Sequence, residues 1–250
     1  MEKLIRNFLF KILGTEGYLK LVSDLYIRFI RFGLLKKKYP ELFFLNQIIK
    51  PGFVCVDIGA NVGYYSVMLS KLTGKNGQVI AIEPVPLFAK IFLKNAQKFA
   101  LQNITLHQVA LGNQDKQVML VTPVINGVFR HGLTHISDSD SSKNNSNSYS
   151  AKMVVADNLF GSIPKIDFLK CDVEGYETIL FPQMLKTLQR TKPLIQIEIN
   201  STKNIETLYN LLEPIGYEWH ILSNNKLKKL IKTEAVQHQH GDFYLMCKVL

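Results

Sequence analysis

A chain of 250 residues has room for one sizeable α/β core, not for two full-size domains. Its 47% hydrophobic and 20% charged content excludes a disordered chain, and no run of about 18 uncharged apolar residues is present to span a membrane. The net charge of +10 favours acidic partners, but no motif for reading DNA or RNA accompanies it, so nucleic acid is not expected.

Cys55, Cys171 and Cys247 all lie in apolar stretches. An odd, unclustered count argues against a disulfide framework and a zinc site, and fits buried thiols in a reducing compartment. Lys3 and Arg6 precede Phe8-Leu9-Phe10 as in a signal peptide, but Lys11 interrupts the patch and no small-residue cleavage site follows. A cytoplasmic location is the expectation.

Residues 1–40 read as an amphipathic helical extension, with Leu21, Val22, Leu25, Phe29 and Phe32 at helical spacing and Asp24, Arg28 and Arg31 on another face. Packing on the domain behind it is the favoured role; contact of this basic segment with a membrane surface or a partner subunit is the alternative. Pro40 breaks the segment, Glu41 to Ile49 gives a short helix, and Lys50-Pro51-Gly52 is a turn. One domain then runs from 41 to 250.

Phe53 to Ile58 is a short, β-branched buried strand leading through Gly59 into a helix of roughly Val62 to Leu72. Gln78 to Glu83 is a second strand, Leu87 to Leu101 a helix, and Ile104 to Val109 a third strand. This alternation predicts a doubly wound, mostly parallel sheet. Lys116 to Thr122 is an extra strand, and the polar stretch 137–150 a flexible loop that cannot pack a core. Alternation resumes with a strand from Ala151 to Val155, Asp157 as N-cap of a short helix, and a buried strand from Ile166 to Asp172. A helix from Gly175 to about Leu188 and strands Leu194 to Ile199, Tyr217 to Leu222 and Phe243 to Val249 complete the pattern, with a helix at Ile205 to Leu212. Lys36-Lys37-Lys38 and Lys226 to Lys232 read as solvated basic faces.

In such a sheet, ligands bind beyond the carboxyl ends of the strands. Asp57, Glu83, Asp172 and Glu198 all mark strand ends. An acid ending the second strand accepts ribose hydroxyls, which points to an adenosine. Gly59-Ala60-Asn61-Val62-Gly63 lacks the middle glycine that a dinucleotide pyrophosphate needs, and Asp57 before the turn would repel it. A sulfonium cofactor, by contrast, welcomes carboxylates. No Lys-Ser or Lys-Thr pair follows the glycines, which excludes a P-loop.

Val-Asp-Ile-Gly-Ala-Asn-Val-Gly-Tyr-Tyr-Ser (56–66) resembles the first motif of class I S-adenosylmethionine-dependent methyltransferases, and Ala-Ile-Glu-Pro (81–84) resembles their second. Phe-Leu-Lys-Cys-Asp-Val-Glu-Gly-Tyr-Glu (168–177), followed by Ile-Gln-Ile-Glu-Ile (195–199), is similar to the FkbM family of that class. The likeness covers roughly residues 41–250. It implies a Rossmann-like sheet of seven strands with an antiparallel last strand. It also implies S-adenosylmethionine as cofactor and methyl transfer to oxygen on a sugar, glycan or natural-product acceptor. Carried over by position, Asp57, Gly59, Asn61 and Gly63 line the methionine end of the cofactor. Glu83 holds the ribose, and Val109 and Ala110, closing the third strand, border the adenine. The third strand lacks the Asp that many relatives use for the adenine amino group, and Gln108 is the substitute.

O-methylation of a nearly neutral hydroxyl needs a base in hydrogen-bond reach, and Asp172 or Glu174 is the candidate. Glu177 reads as a stabiliser of the helix start. No metal is expected; a magnesium-like ion held by Asp172, Glu198 and Asn200 is the less favoured alternative. His131, next to Arg130, His135, and the pair His238 and His240 read as surface or satisfied residues, with His131 the better outsider, and Trp219 as packing. Two rival readings remain: a nicotinamide-dependent oxidoreductase, which lacks both the middle glycine and a Tyr-x-x-x-Lys pair, and a non-catalytic docking module.

Overall fold

The computed structural model describes residues 2–125, 128–129, 131–137, 148–238 and 241–248, so Arg130, His240 and most of the expected polar loop lie outside the described residues. In chain order, α1 (Glu2–Arg31) and α2 (Pro40–Ile48) precede β1 (Val54–Ile58), α3 (Tyr64–Thr73), β2 (Gln78–Ile82), α4 (Pro86–Phe99) and β3 (Ile104–His107). Six short strands come next: β4 (Ala110–Gly112), β5 (Lys116–Val121), β6 (Val124–Ile125), β7 (Val128–Phe129), β8 (His135–Ser137) and β9 (Ser148–Val155). Then α5 (Ala156–Phe160), β10 (Phe168–Cys171), α6 (Glu177–Leu180), α7 (Leu185–Thr191), β11 (Leu194–Ile199) and α8 (Thr202–Leu212) restore the alternation. β12 (Tyr217–Ser223), β13 (Lys226–Leu230), α9 (Lys232–Gln237) and β14 (Gly241–Cys247) close it.

The main sheet has the order β13-β12-β14-β11-β10-β1-β2-β3. Strands β1, β2, β3, β10 and β11 run parallel, and β14 inserts antiparallel between β11 and β12. The mostly parallel, doubly wound fold is as the alternation predicts, with eight strands instead of seven. The additional one, β13, lies in the Lys226 to Lys232 stretch read as a solvated face. Asn224 and Asn225, at φ 49° and 61°, form the tight turn that folds it back on β12. Its exposed lysines blunt the sheet edge.

Alternation along the buried strands sends side chains to two cores. Val56, Ile58, Leu169, Cys171, Ile195 and Ile197 meet α5 to α8, whereas Cys55, Val79 and Phe168 meet α1 to α3. Trp219 belongs to the first core, stacked on Tyr209 and edge-on to Phe243. Cys55 and Cys171 are buried free thiols, and Cys247 is half-buried.

Four other expectations are corrected. The third strand ends at His107, and Ala110 opens a second sheet, β4-β9-β5-β8, which uses Ser137 and Ser148 to Ser150 from the ends of the expected loop. The helix after Gly175 is broken into α6, a 3₁₀ turn over Phe181–Met184, and α7. Asp157 does not cap its own helix but accepts the Lys186 and Thr187 amides at 3.2 and 2.9 Å, capping α7. Finally, α1 packs on α3 and α4 through Leu19, Ser23, Ile27 and Ile30, while Leu21, Leu25 and Phe29 of the expected apolar face point outward. Among the described residues, no helix is long and apolar enough to cross a membrane.

Candidate active site

Strand order reverses between β1 and β10, with β2 beside β1 and β11 beside β10. The helices that follow these two strands, α3 and α6, cover opposite faces, so a crevice opens at the strand ends. The turn from β1 is drawn toward β2 by the Gly59 and Ala60 amides, both donating to the Ile82 carbonyl at 3.0 Å. Gly59, at φ +78°, passes so close to β10 that a Cβ would stand 1.9 Å from the Asp172 carbonyl oxygen. The close approach explains the glycine.

A cleft opens there, at the place where such sheets bind their ligands. Gly59, Asn61, Glu83, Val109, Ala110, Asp172 and Glu174 line it. Leu120, Thr134, His135 and Ile136 of the second sheet and its connection also line it, and Tyr176 adds an aromatic wall. The sequence reading placed strands over Lys116 to Thr122 and Ala151 to Val155 but not β4 or β8, nor the sheet they form over the cleft, because strands of three residues carry little periodic signal. Gln108 is exposed and outside the lining. Gly63 is outside it as well: a Cβ there would meet the Phe92 ring at 3.0 Å, so this glycine serves helix packing.

Asp57 lies beneath the cleft, fully buried, with Oδ2 accepting the Ser66 hydroxyl at 2.6 Å and Oδ1 unpartnered. Burial raises its carboxyl pKa. Glu83, also buried, is pushed up to about 7 by burial, although Oε1 accepts the Val85 amide and Oε2 the Asn61 amide, both at 2.8 Å. A carboxylate offers about four acceptor sites, so Glu83 keeps capacity for ligand hydroxyls.

The turn after β10 is held by Glu177, whose Oε1 accepts the Val173 and Gly175 amides at 3.3 and 3.1 Å. This fixes Glu174 at φ +53°, a conformation costly for a non-glycine residue. Glu174 has a pKa near 7, raised first by burial and then by Asp172, Glu198 and Glu177. Glu198 lies outside the lining, its Oε1 accepting from Asn200 at 3.3 Å. Among the described residues, no three His, Cys, Asp or Glu side chains converge as a metal site.

Lys170, which the sequence reading passed over, is buried below these acids. It pairs with Asp57 across the β1–β10 register and donates to Asp172 Oδ2 at 3.2 Å, with its ammonium 4.9 Å from the Tyr65 ring centre. Burial opposes its charge, but Asp172 and Asp57 outweigh burial and keep it protonated. We expect Lys170→Met to cost about 3 kcal/mol, the low end for a broken buried pair because Asp172 keeps 30% side-chain exposure. Asp57 already has a folded pKa above its unfolded one, so its contribution to stability falls as pH rises, and losing the lysine widens that window. Thermal melts of the variant should fall further below wild type at about pH 8 than at about pH 5.

An open α/β sheet with a carboxylate-lined crevice at its switch point defines a ligand-binding α/β protein, and its fold is a known one. A Clostridium thermocellum protein described as a candidate rRNA methylase superposes with a TM-score of 0.50 at 10% identity, covering 83% of this chain and 93% of that one. The methyltransferase FkbM domain family matches residues 57–219, and the chain belongs to that methyltransferase family.

Two curated relatives match shorter segments. The ribosomal RNA large subunit methyltransferase E of Vesicomyosocius okutanii is 35% identical over 28% of this chain and 38% of its own length. A protein-L-isoaspartate O-methyltransferase of Methanococcus aeolicus is 34% identical over 26% of this chain and 29% of its own length. The chain therefore spans well under half the length of these relatives.

Proposed function

We propose that the protein transfers a methyl group from S-adenosylmethionine to a hydroxyl of a sugar, glycan or natural-product acceptor. The observation that carries this reading is the charge of the cleft. In a chain of net charge +10, its described lining holds Glu83, Asp172 and Glu174 and no lysine or arginine. Such a lining suits an adenosine carrying a cationic methionine and repels the pyrophosphate of a nicotinamide dinucleotide or a phosphate-rich acceptor. Bound S-adenosylmethionine would supply an electrophilic methyl group.

The chain's own residues do the rest. Glu83 holds the ribose hydroxyls, Gly59 and Asn61 border the methionine end, and Val109 and Ala110 flank the adenine. Asp57 acts from below, as a buried carboxyl held by the Ser66 hydroxyl. Glu174 is placed to take the proton from the acceptor hydroxyl; with the cofactor bound, the hydroxyl oxygen would gain the methyl group as its bond to sulfur breaks, and S-adenosylhomocysteine would leave. A carboxylate raised to about 7 is a stronger base than an ordinary one and is still about half ionised at neutral pH. Asp172, held by the Lys170 ammonium, positions the turn that carries Glu174.

Calorimetry with S-adenosylhomocysteine tests the cofactor assignment, and no binding at millimolar ligand would overturn it. Glu83→Ala should weaken that binding by about 100-fold, the loss of two hydrogen bonds to a charged acceptor. In wild type the affinity should rise as pH increases through about 7, because Glu83 accepts hydroxyls best once ionised. A pH-independent affinity would remove Glu83 from the ribose site. Methyl transfer to a panel of hydroxyl and amine acceptors tests the oxygen specificity, and transfer to amines alone would refute it.

A further inference from the structure

We propose that the outward face of α1 and the segment after it dock on an anionic lipid surface. The helix is amphipathic twice over: one side is spent on α3 and α4, and the other remains apolar. Leu21, Leu25 and Phe29 lie one helical turn apart on that outer side. Past its C-terminal end, Phe32 is 77% and Leu34 68% exposed, while Ile12 lies across a break in the helix at Gly14 and is not part of the stripe. Leu21, Leu25 and Phe29 on one exposed ridge, continued by Phe32 and Leu34 in the turn after it, mark an interaction surface.

Charge decides what covers it. Residues 9–38 hold seven cations (Lys11, Lys20, Arg28, Arg31, Lys36, Lys37, Lys38) and two acids, Glu16 and Asp24. Both acids are already consumed. Glu16 pairs with Lys20 and Lys90, and Asp24 with Arg28 and with Lys98 of α4. Arg28 and Arg31 also stack over the Phe99 ring at 5.6 and 5.8 Å, which keeps two guanidinium groups along one flank of the ridge. At its far end stand Lys36 and Lys37, both exposed. A second copy of this chain would bring the same cations against them, so the rim disfavours self-association. A bilayer rich in anionic headgroups satisfies both parts at once, with apolar side chains entering the acyl boundary and cations meeting headgroups.

The location fits catalysis on a surface. Leu19, on the inner side of α1, packs in one cluster with Val85, Phe88 and Ala110, which line the cleft. A membrane on the outer side of α1 would therefore adjoin one flank of the cleft.

Co-sedimentation of the full chain with vesicles provides the test. It should bind vesicles of phosphatidylcholine and phosphatidylserine and not those of phosphatidylcholine alone, with binding released by salt. Lys36→Gln with Lys37→Gln should lower the affinity roughly 30-fold, at about 1 kcal/mol for each lysine near an anionic surface. Phe32→Ser with Leu34→Ser should weaken it as well, and both pairs should leave the melting temperature unchanged because these side chains are exposed. Three results would overturn the proposal: no sedimentation with anionic vesicles at low salt, binding insensitive to both variant pairs, or a dimer in light scattering that the Phe32/Leu34 pair dissolves. None of these measurements depends on methyl transfer, so the proposal can fail while the catalytic reading stands.

Discussion

Glu174→Gln is expected to lower kcat by roughly 10² to 10⁴, the usual worth of a positioned general base. Affinity for S-adenosylhomocysteine should be unchanged, since glutamine keeps the shape and the substitution leaves the Glu177-held turn intact. The pH profile separates this from a structural effect. The Glu174 carboxyl is raised to about 7, chiefly by burial, so wild-type kcat should rise as pH passes through about 7 and the carboxylate becomes available. The Glu83 carboxyl lies near the same value but acts through binding, so at saturating cofactor its ionisation drops out of kcat. In Glu174→Gln the residual rate should lose that rise. If the variant keeps the wild-type profile and rate, the base is elsewhere, and Asp172→Asn becomes the decisive measurement.

The parts of the fold that could be read from the chain are those with strong periodic signals. β1, β2, β10 and β11 are short, mostly apolar strands with acids at or near their ends, and helical segments between them force parallel pairing. What could not be read is where short strands make contacts distant in sequence. The second sheet is built from pieces three to eight residues long, and the pairing of β4 with β9 joins Ala110 to Met153. Nothing local to either segment encodes that contact. β13 was hidden for another reason: its lysines resemble a solvated run until the two Asn residues are taken as a hairpin turn.

The site divides in the same way. Residues fixed by strand ends, Gly59, Glu83, Asp172 and Glu174, were legible and do meet in one cleft. Asp57 was legible as an acid near the site but not as a buried one, because depth depends on which face of β1 its neighbours cover. Lys170 was invisible as a functional residue, since a lysine in a strand carries no pattern of its own. Its role arises only once β10 is placed in register with β1.

Gly59→Ala should be the most damaging conservative change in the chain. An alanine at φ +78° costs about 1–2 kcal/mol in backbone strain alone. Its methyl group would sit 1.9 Å from the Asp172 carbonyl oxygen, and that atom belongs to the backbone and cannot swing aside like a side-chain tip. Relief requires the end of β10 to move away from β1, which strains the hydrogen bond from the Asp172 amide to the Ile58 carbonyl at 3.1 Å. Overpacking of this kind adds about 1–3 kcal/mol, giving a total of about 2–5 kcal/mol in urea unfolding. Activity should fall further than stability, because the displaced residue is the base of the turn that carries Glu174. The glycine motif at 56–66 and the acidic motif at 168–177 are thus one contact, although more than 100 residues separate Gly59 from Asp172. A Gly59→Ala variant with wild-type stability and kcat would show that the two segments tolerate separation, and would take from Gly59 its role in placing the base.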